Sequence, residues 1–121
     1  NILQATLLAM KRAIIDLQVE YSKYRGKAIF NVMVDGNHCP DIANCMAIIK
    51  GDLIEPTISA ASIIAKVTRD RQMRELDSQY PQYGFAQHKG YGTRKHLLAL
   101  SKYGPIQGIH RHTFGPIKEF S

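Results

Sequence analysis

Long apolar runs are missing from this 121-residue chain. The longest, such as Cys45 to Ile49, fall far short of the roughly 20 residues that a bilayer-spanning helix needs, which excludes a membrane helix. Cysteine is scarce as well: Cys39 and Cys45 are the whole supply. No basic stretch precedes an apolar segment near Asn1, so no secretory signal is visible. A disulfide framework is therefore not expected, and both thiols are read as reduced and packed near a strand. A zinc site would need more ligands than Cys39, Cys45 and His38 provide at this spacing. The expectation is a cytoplasmic protein. Acidic residues are outnumbered, 10 against 16 Lys plus Arg, which leaves a formal charge of +6. That surplus favours polyanionic partners, of which nucleic acid is the commonest. An initiator Met is absent too, which hints at a piece of something longer.

What is present is ordinary globular composition, with 45% apolar and 21% charged residues. Such a chain can bury a real core and reads as a single domain over residues 1–121. Asn1 is placed to cap a first helix, in which Leu3, Leu7, Met10, Ile14 and Leu17 recur three and four apart. Residues 28–34 read as a strand, and the near-continuous apolar run suggests burial on both faces, as in the centre of an α/β sheet. Asp35-Gly36-Asn37 stops it. A second short strand is expected over residues 45–49, stopped by Lys50-Gly51-Asp52. Thr57 or Ser59 caps a long helix to about Gln79, with a stripe of Ile58, Ala61, Ala65, Thr68 and Leu76. Its first turns are small, Ser59 to Ser62, which suits close approach to a sheet or a ligand. A Gly- and Tyr-rich loop follows from Tyr83 to Gly92. Thr93 caps a helix to about Lys102, and a short terminal helix starts at Pro116.

Two aspartates each follow a buried-looking strand. In open α/β sheets, ligand sites gather beyond the carboxyl ends of the strands. If both strands share one parallel sheet, Asp35 and Asp52 converge there. Hard divalent cations such as Mg²⁺ take oxygen ligands, often one or two carboxylates with substrate phosphates. Two such ions can activate a water and stabilise the leaving oxygen of a phosphodiester. The competing reading makes both aspartates ordinary turn residues. A basic and aromatic group stands beside them: Lys66, Arg69 and Arg71 on the long helix; His88, Lys89, Tyr91, Arg94 and Lys95 in and after the loop; and His110, Arg111 and His112 near the end. Basic side chains hold phosphates and a Tyr stacks on a sugar or base, although a solvated helix face and loop tip fit the same pattern. His110 and His112 read as a basic tail more readily than as metal ligands. The aromatics from Tyr80 to Phe85 are explained at least as well by core packing.

Several stretches together resemble the ribonuclease HII family. They are residues 1–10, then Val34-Asp35-Gly36-Asn37-His38-Cys39-Pro40, then Lys50-Gly51-Asp52, then residues 59–70, residues 80–93 and residues 110–116. They stand in the family's order across nearly the whole chain. The resemblance implies a partial RNase H-like α/β fold, with central strands flanked by helices and a helical C-terminal region. It implies a two-metal endonuclease, dependent on Mg²⁺ or Mn²⁺. Such an enzyme hydrolyses the RNA strand of RNA–DNA hybrids and cuts 5′ of single ribonucleotides in duplex DNA. By position, Asp35 resembles the family's third active-site carboxylate and Asp52 the fourth. Tyr91 resembles the tyrosine that packs against the sugar at the RNA–DNA junction, and the resemblance implies phosphate contacts at Lys89 and Lys66. The start of the long helix, Ser59 to Ser62, resembles the part that approaches the active site.

The family's adjacent Asp-Glu pair and its Gly-Arg-Gly loop occur nowhere in these residues. The chain thus reads as the C-terminal part of the family's catalytic domain. On that reading half of the metal ligands are absent, so the chain alone is expected to bind metal weakly and cut slowly or not at all. An unpaired sheet edge is expected to permit self-association. The alternative is a basic, non-catalytic fragment that holds nucleic acid or a partner, or a structural piece.

Overall fold

The computed structural model describes residues 1–120, and the chain forms two compact units, Asn1–Ile63 and Ile64–Ser121, whose boundary falls within one long helix. In the first unit the Asn1 carboxamide accepts hydrogen bonds from the N–H groups of Leu3 and Gln4 at 2.9 and 3.3 Å. Those donors have no partner inside a helix, and the cap satisfies them. Helix α1 then runs Ile2–Arg25 and ends at Gly26, whose positive φ of 73° closes it. The middle of the expected stripe, Leu7, Met10 and Ile14, is half-buried, while Leu3 and Leu17 are exposed.

Strands β1 (Val32–Asp35) and β2 (Cys45–Ile48) pair in parallel, with Val34 opposite Ala47 and Asp35 opposite Ile48. The architecture is mixed α/β. Strand β1 is shorter than expected, because Ala28 to Asn31 have no strand beside them; among the described residues the sheet has two strands. For the same reason the expected burial on both faces is not met. Val32, Met33 and Val34 are half-buried, and Ile29 is exposed. Both cysteines are free thiols. Burial, with the Cys39 thiol beside it, pushes Cys45 up to about 11.

A single-turn helix, α2 (Gly51–Ile54), follows β2 through Lys50 in the left-handed region. Helix α3 spans Pro56–Gln79. It begins one residue before the expected Thr57 cap. Proline at the first helical position is pre-set for the helix and needs no N–H partner. The Thr57 N–H instead donates to the Glu55 carboxylate at 3.4 Å. Of the expected stripe only Ile58 is buried; Ala61 and Ala65 are exposed.

The second unit holds the larger core. Met73 of α3 packs with Tyr83, Phe85, Ala99, Leu100 and Ile117. The expected loop contains a one-turn helix, α4 (Phe85–His88), and Tyr83 and Phe85 stack at 5.5 Å as core residues. Thr93 caps α5 (Arg94–Tyr103) by accepting the His96 N–H at 3.3 Å. Helix α6 covers Gly115–Lys118. His110 departs from the basic-tail expectation: it is buried, as are His88 and His96.

Candidate functional site

Two groups of residues carry chemistry, one in each unit. In the first, the parallel pairing of β1 and β2 brings their carboxyl ends to the same side. Asp35 is the last residue of β1, and its Oδ1 accepts the Gly51 N–H at 2.9 Å. Gly36 N–H donates to the Ile48 carbonyl at 2.9 Å, which continues the ladder past the strand end. Gly51 is buried and has no room for a side chain. A Cβ there would stand 2.6 Å from Ile58 Cδ1 and 3.3 Å from Ile48 Cβ. This close approach sets the start of α2 against Asp35, and Asp52 is the next residue in that turn. The Ser59 hydroxyl donates to the Asp52 carbonyl, so the first turns of α3 hold the same corner. Both aspartates are exposed.

The donor set suits a hard divalent cation in kind, since carboxylate oxygens are its preferred ligands. In number it is short. One Asp35 oxygen already accepts the Gly51 N–H, and no group of three or more His, Cys, Asp or Glu side chains converges among the described residues. Asp35 and Asp52 would hold part of a coordination shell, with the rest from water, phosphate or other protein groups.

In the second unit, Lys66, Arg69, Lys89, Tyr91 and Arg111 line one cleft with Asp70 and Phe114. Lys66 and Arg69 stand three positions apart on α3, and Lys89 and Tyr91 come from the turn between α4 and α5. The Tyr91 side chain is exposed, its ring free to meet a ligand. Arg69 Nη2 donates to the Lys89 carbonyl at 3.4 Å, and the Arg111 guanidinium lies over the Phe114 ring at 4.6 Å. Arg71, Arg94 and Lys95 do not line this cleft. Lys95 bonds to Gln87 instead.

Asp70 is the residue that sequence reasoning missed. Its carboxylate pairs with Lys89 Nζ at 3.0 Å, and that hydrogen bond holds Asp70 below the usual carboxylate range. Lys89 is thus not a free cation. No spacing along the helix signals it, since its partner Lys89 lies beyond the end of α3.

A family model described as Ribonuclease HII matches residues 1–116. Among curated relatives, the ribonuclease HII of Polynucleobacter asymbioticus is 53% identical over 119 residues, covering 98% of this chain and 58% of that protein. That of Coxiella burnetii is 51% identical over 120 residues, covering 98% of this chain and 55% of that protein. That of Vibrio vulnificus is 52% identical over 120 residues, covering 98% and 54%. The chain therefore spans little more than half the length of the curated relatives it matches.

Proposed function

The chain belongs to the ribonuclease HII family, and from that premise we propose that it forms the C-terminal part of a metal-dependent endoribonuclease domain. The substrate is the RNA strand of an RNA–DNA hybrid, or a single ribonucleotide in duplex DNA that is cut on its 5′ side. The observation that carries this reading is the corner at the carboxyl ends of β1 and β2, where Asp35 accepts the Gly51 N–H beside Asp52.

Asp35 and Asp52 would hold Mg²⁺ or Mn²⁺. Such ions supply, when bound, the activation of water and the charge stabilisation that phosphodiester hydrolysis needs. The chain's own contribution is placement. Gly51 lets α2 approach β1, and Ser59 ties the Asp52 backbone to α3. Lys66 and Lys89 offer charge to phosphates, and the exposed Tyr91 ring packs against the sugar at the RNA–DNA junction. No helix among the described residues is long and apolar enough to cross a membrane. A cytoplasmic location fits a chain that meets nucleic acid there.

Two carboxylates are few for two cations, so the chain alone is expected to cut slowly or not at all. The test is cleavage of a duplex with one ribonucleotide, in Mg²⁺ and then Mn²⁺, by the chain alone and with the N-terminal part of the Polynucleobacter relative added. Cleavage only with the added part, and its loss on Asp35→Asn, is the expected result. A second reading is a binding module without catalysis, favoured by the basic cleft and the small donor set. It predicts salt-sensitive binding that ignores both Mg²⁺ and Asp35→Asn, and no cleavage in either mixture.

A further inference from the structure

Three histidines form a buried chain in the second unit. His88 and His96 stack with ring centroids 4.1 Å apart and planes 6° from parallel. His96 Nε2 and His110 Nε2 are 2.9 Å apart. All three side chains are buried. None belongs to the cleft that Tyr91 lines.

Their partners determine where each proton sits. Gly90 N–H donates to His88 Nδ1 at 3.1 Å, so that nitrogen is bare. His88 Nε2–H donates to the Tyr83 carbonyl at 2.7 Å. Ile106 N–H donates to His110 Nδ1 at 2.9 Å, so His110 carries its proton on Nε2 and donates it to His96 Nε2. His96 is then protonated at Nδ1 and donates to the Tyr91 carbonyl at 2.9 Å. A carbonyl can only accept and a backbone N–H can only donate, so these assignments form one consistent set of neutral rings. A second proton on any ring would face a donor or break a bond.

Two of these bonds end on the turn between α4 and α5. His88 holds the Gly90 N–H from one side and His96 holds the Tyr91 carbonyl from the other. Lys89 and Gly90 both have positive φ, 54° and 87°. A turn with such backbone needs support from its surroundings to keep one conformation. We propose that His88 and His96, with His110 behind them, are positioning residues for Tyr91: the neutral histidine chain fixes the turn's backbone while leaving the tyrosine ring exposed to nucleic acid. The proposal rests on the reading of Tyr91 as a nucleic-acid contact.

The test is a mutant cycle on the full chain, read by binding to a fluorescent duplex with one ribonucleotide at low salt, with Tm followed for each variant. Tyr91→Ala is expected to weaken binding about tenfold, the scale of a stacked aromatic. His96→Leu is expected to weaken it by a similar factor. His96→Asn, whose amide can donate where Nδ1–H does, recovers most of the loss. In a Tyr91→Ala background, His96→Leu adds no more than about twofold. A merely structural histidine would add its full cost there, and that result overturns the proposal. Loss with Tyr91→Ala but wild-type affinity with His96→Leu overturns it while sparing the reading of Tyr91. No effect of Tyr91→Ala, or no binding at all, removes that reading and the proposal with it.

Should His96→Leu fail to fold, the wild-type chain supplies a second measurement, affinity against pH. Acidification adds positive charge, which by itself tightens binding to nucleic acid. Protonation of His88 or His110 sets a second N–H against the N–H of Gly90 or Ile106, frees the turn and weakens binding. Facing the chain are Lys95 and Asp77 at His88, His112 at His110, Arg69 and Arg111 around His96 and His110, and the Tyr83 ring at His110. The expected result is an affinity that does not fall from pH 7.5 to 6.5, and falls only in acid well below 6.5, where the buried rings take up protons, in the wild type but not in Tyr91→Ala. An affinity that only rises as the pH falls, in both chains, overturns the proposal.

Discussion

Gly51 and Asp70 each set the character of a site without offering it a ligand. At Gly51 the constraint is space. Its φ is not in the left-handed region, yet an added Cβ would meet Ile58 Cδ1 at 2.6 Å and Ile48 Cβ at 3.3 Å. The end of Ile58 can swing aside; the Ile48 contact can give only if α2 moves. Gly51→Ala is therefore expected to cost about 1–3 kcal/mol, the range for overpacking, measured by urea unfolding. Ile58→Val in the same chain should return part of it. At Asp70 the constraint is charge. Its carboxylate holds Lys89 at 3.0 Å and places a negative group inside a cleft otherwise lined by the cations Lys66, Arg69 and Arg111. Asp70→Asn should release the Lys89 ammonium, tighten duplex binding, and steepen the dependence of log K on log salt by about one. Titrations at several salt concentrations check this, and an unaltered slope would mean that Lys89 meets no phosphate. Asp35, Asp52, Lys66, Lys89 and Tyr91 were all nameable from the chain. Asp70 was not, because the partner that gives it meaning lies across a turn rather than along the helix.

Elements with strong end signals were legible, and those without were not. Asn1 and Thr93 cap α1 and α5 where their side chains predict. Helices α2 and α4 escaped notice because each is one turn long and entered through a left-handed residue, Lys50 or Gly84. One turn carries no periodicity to read. The apolar run before β1 promised a longer and better buried strand, but strand length depends on neighbours, and beside β1 the described residues supply only β2. The sheet consequently presents an unpaired edge on each strand, and Met46, Ile49, Leu53 and Ile54 are exposed near it. Unpaired edges template further pairing. The chain is thus expected to self-associate as its concentration rises, seen by sedimentation velocity. Met46→Lys, a charge on the exposed β2, should shift the distribution toward monomer; an unchanged distribution would place the contact elsewhere.

At the scale of the whole molecule, the burial is uneven and so is its pH sensitivity. Most of the buried apolar residues lie in the second unit, around Phe85 and Leu100, with His88, His96 and His110 among them. No motif foretold that histidine core, since the three residues come from three separate segments and two of them read as basic surface groups. Burial pushes His88 and His110 below their ordinary value of 6.5; for His88 the Tyr83 carbonyl partly offsets it, and for His110 the neighbouring histidines add to it. In the unfolded chain both take up protons near 6.5, while in the folded chain they stay neutral to lower pH. Between those points the unfolded state binds more protons, so stability falls as the pH drops below about 6.5. It levels off once the folded rings are also protonated. Asp70 acts in the same direction at lower pH: its depressed value favours the folded state above 3.8, and that support is lost as acid protonates it. Asp70 is only half-buried and its partner Lys89 more open still, so its share is small. Thermal unfolding at pH 7.5 and 5.5 should show a lower Tm in acid. His110→Phe, which removes one buried ring from the titration, should narrow the difference even if it lowers Tm at both values. A Tm that is flat across this range would mean that His88 and His110 take up protons in the folded state as readily as in the unfolded chain, which the N–H groups of Gly90 and Ile106, aimed at their Nδ1 atoms, oppose.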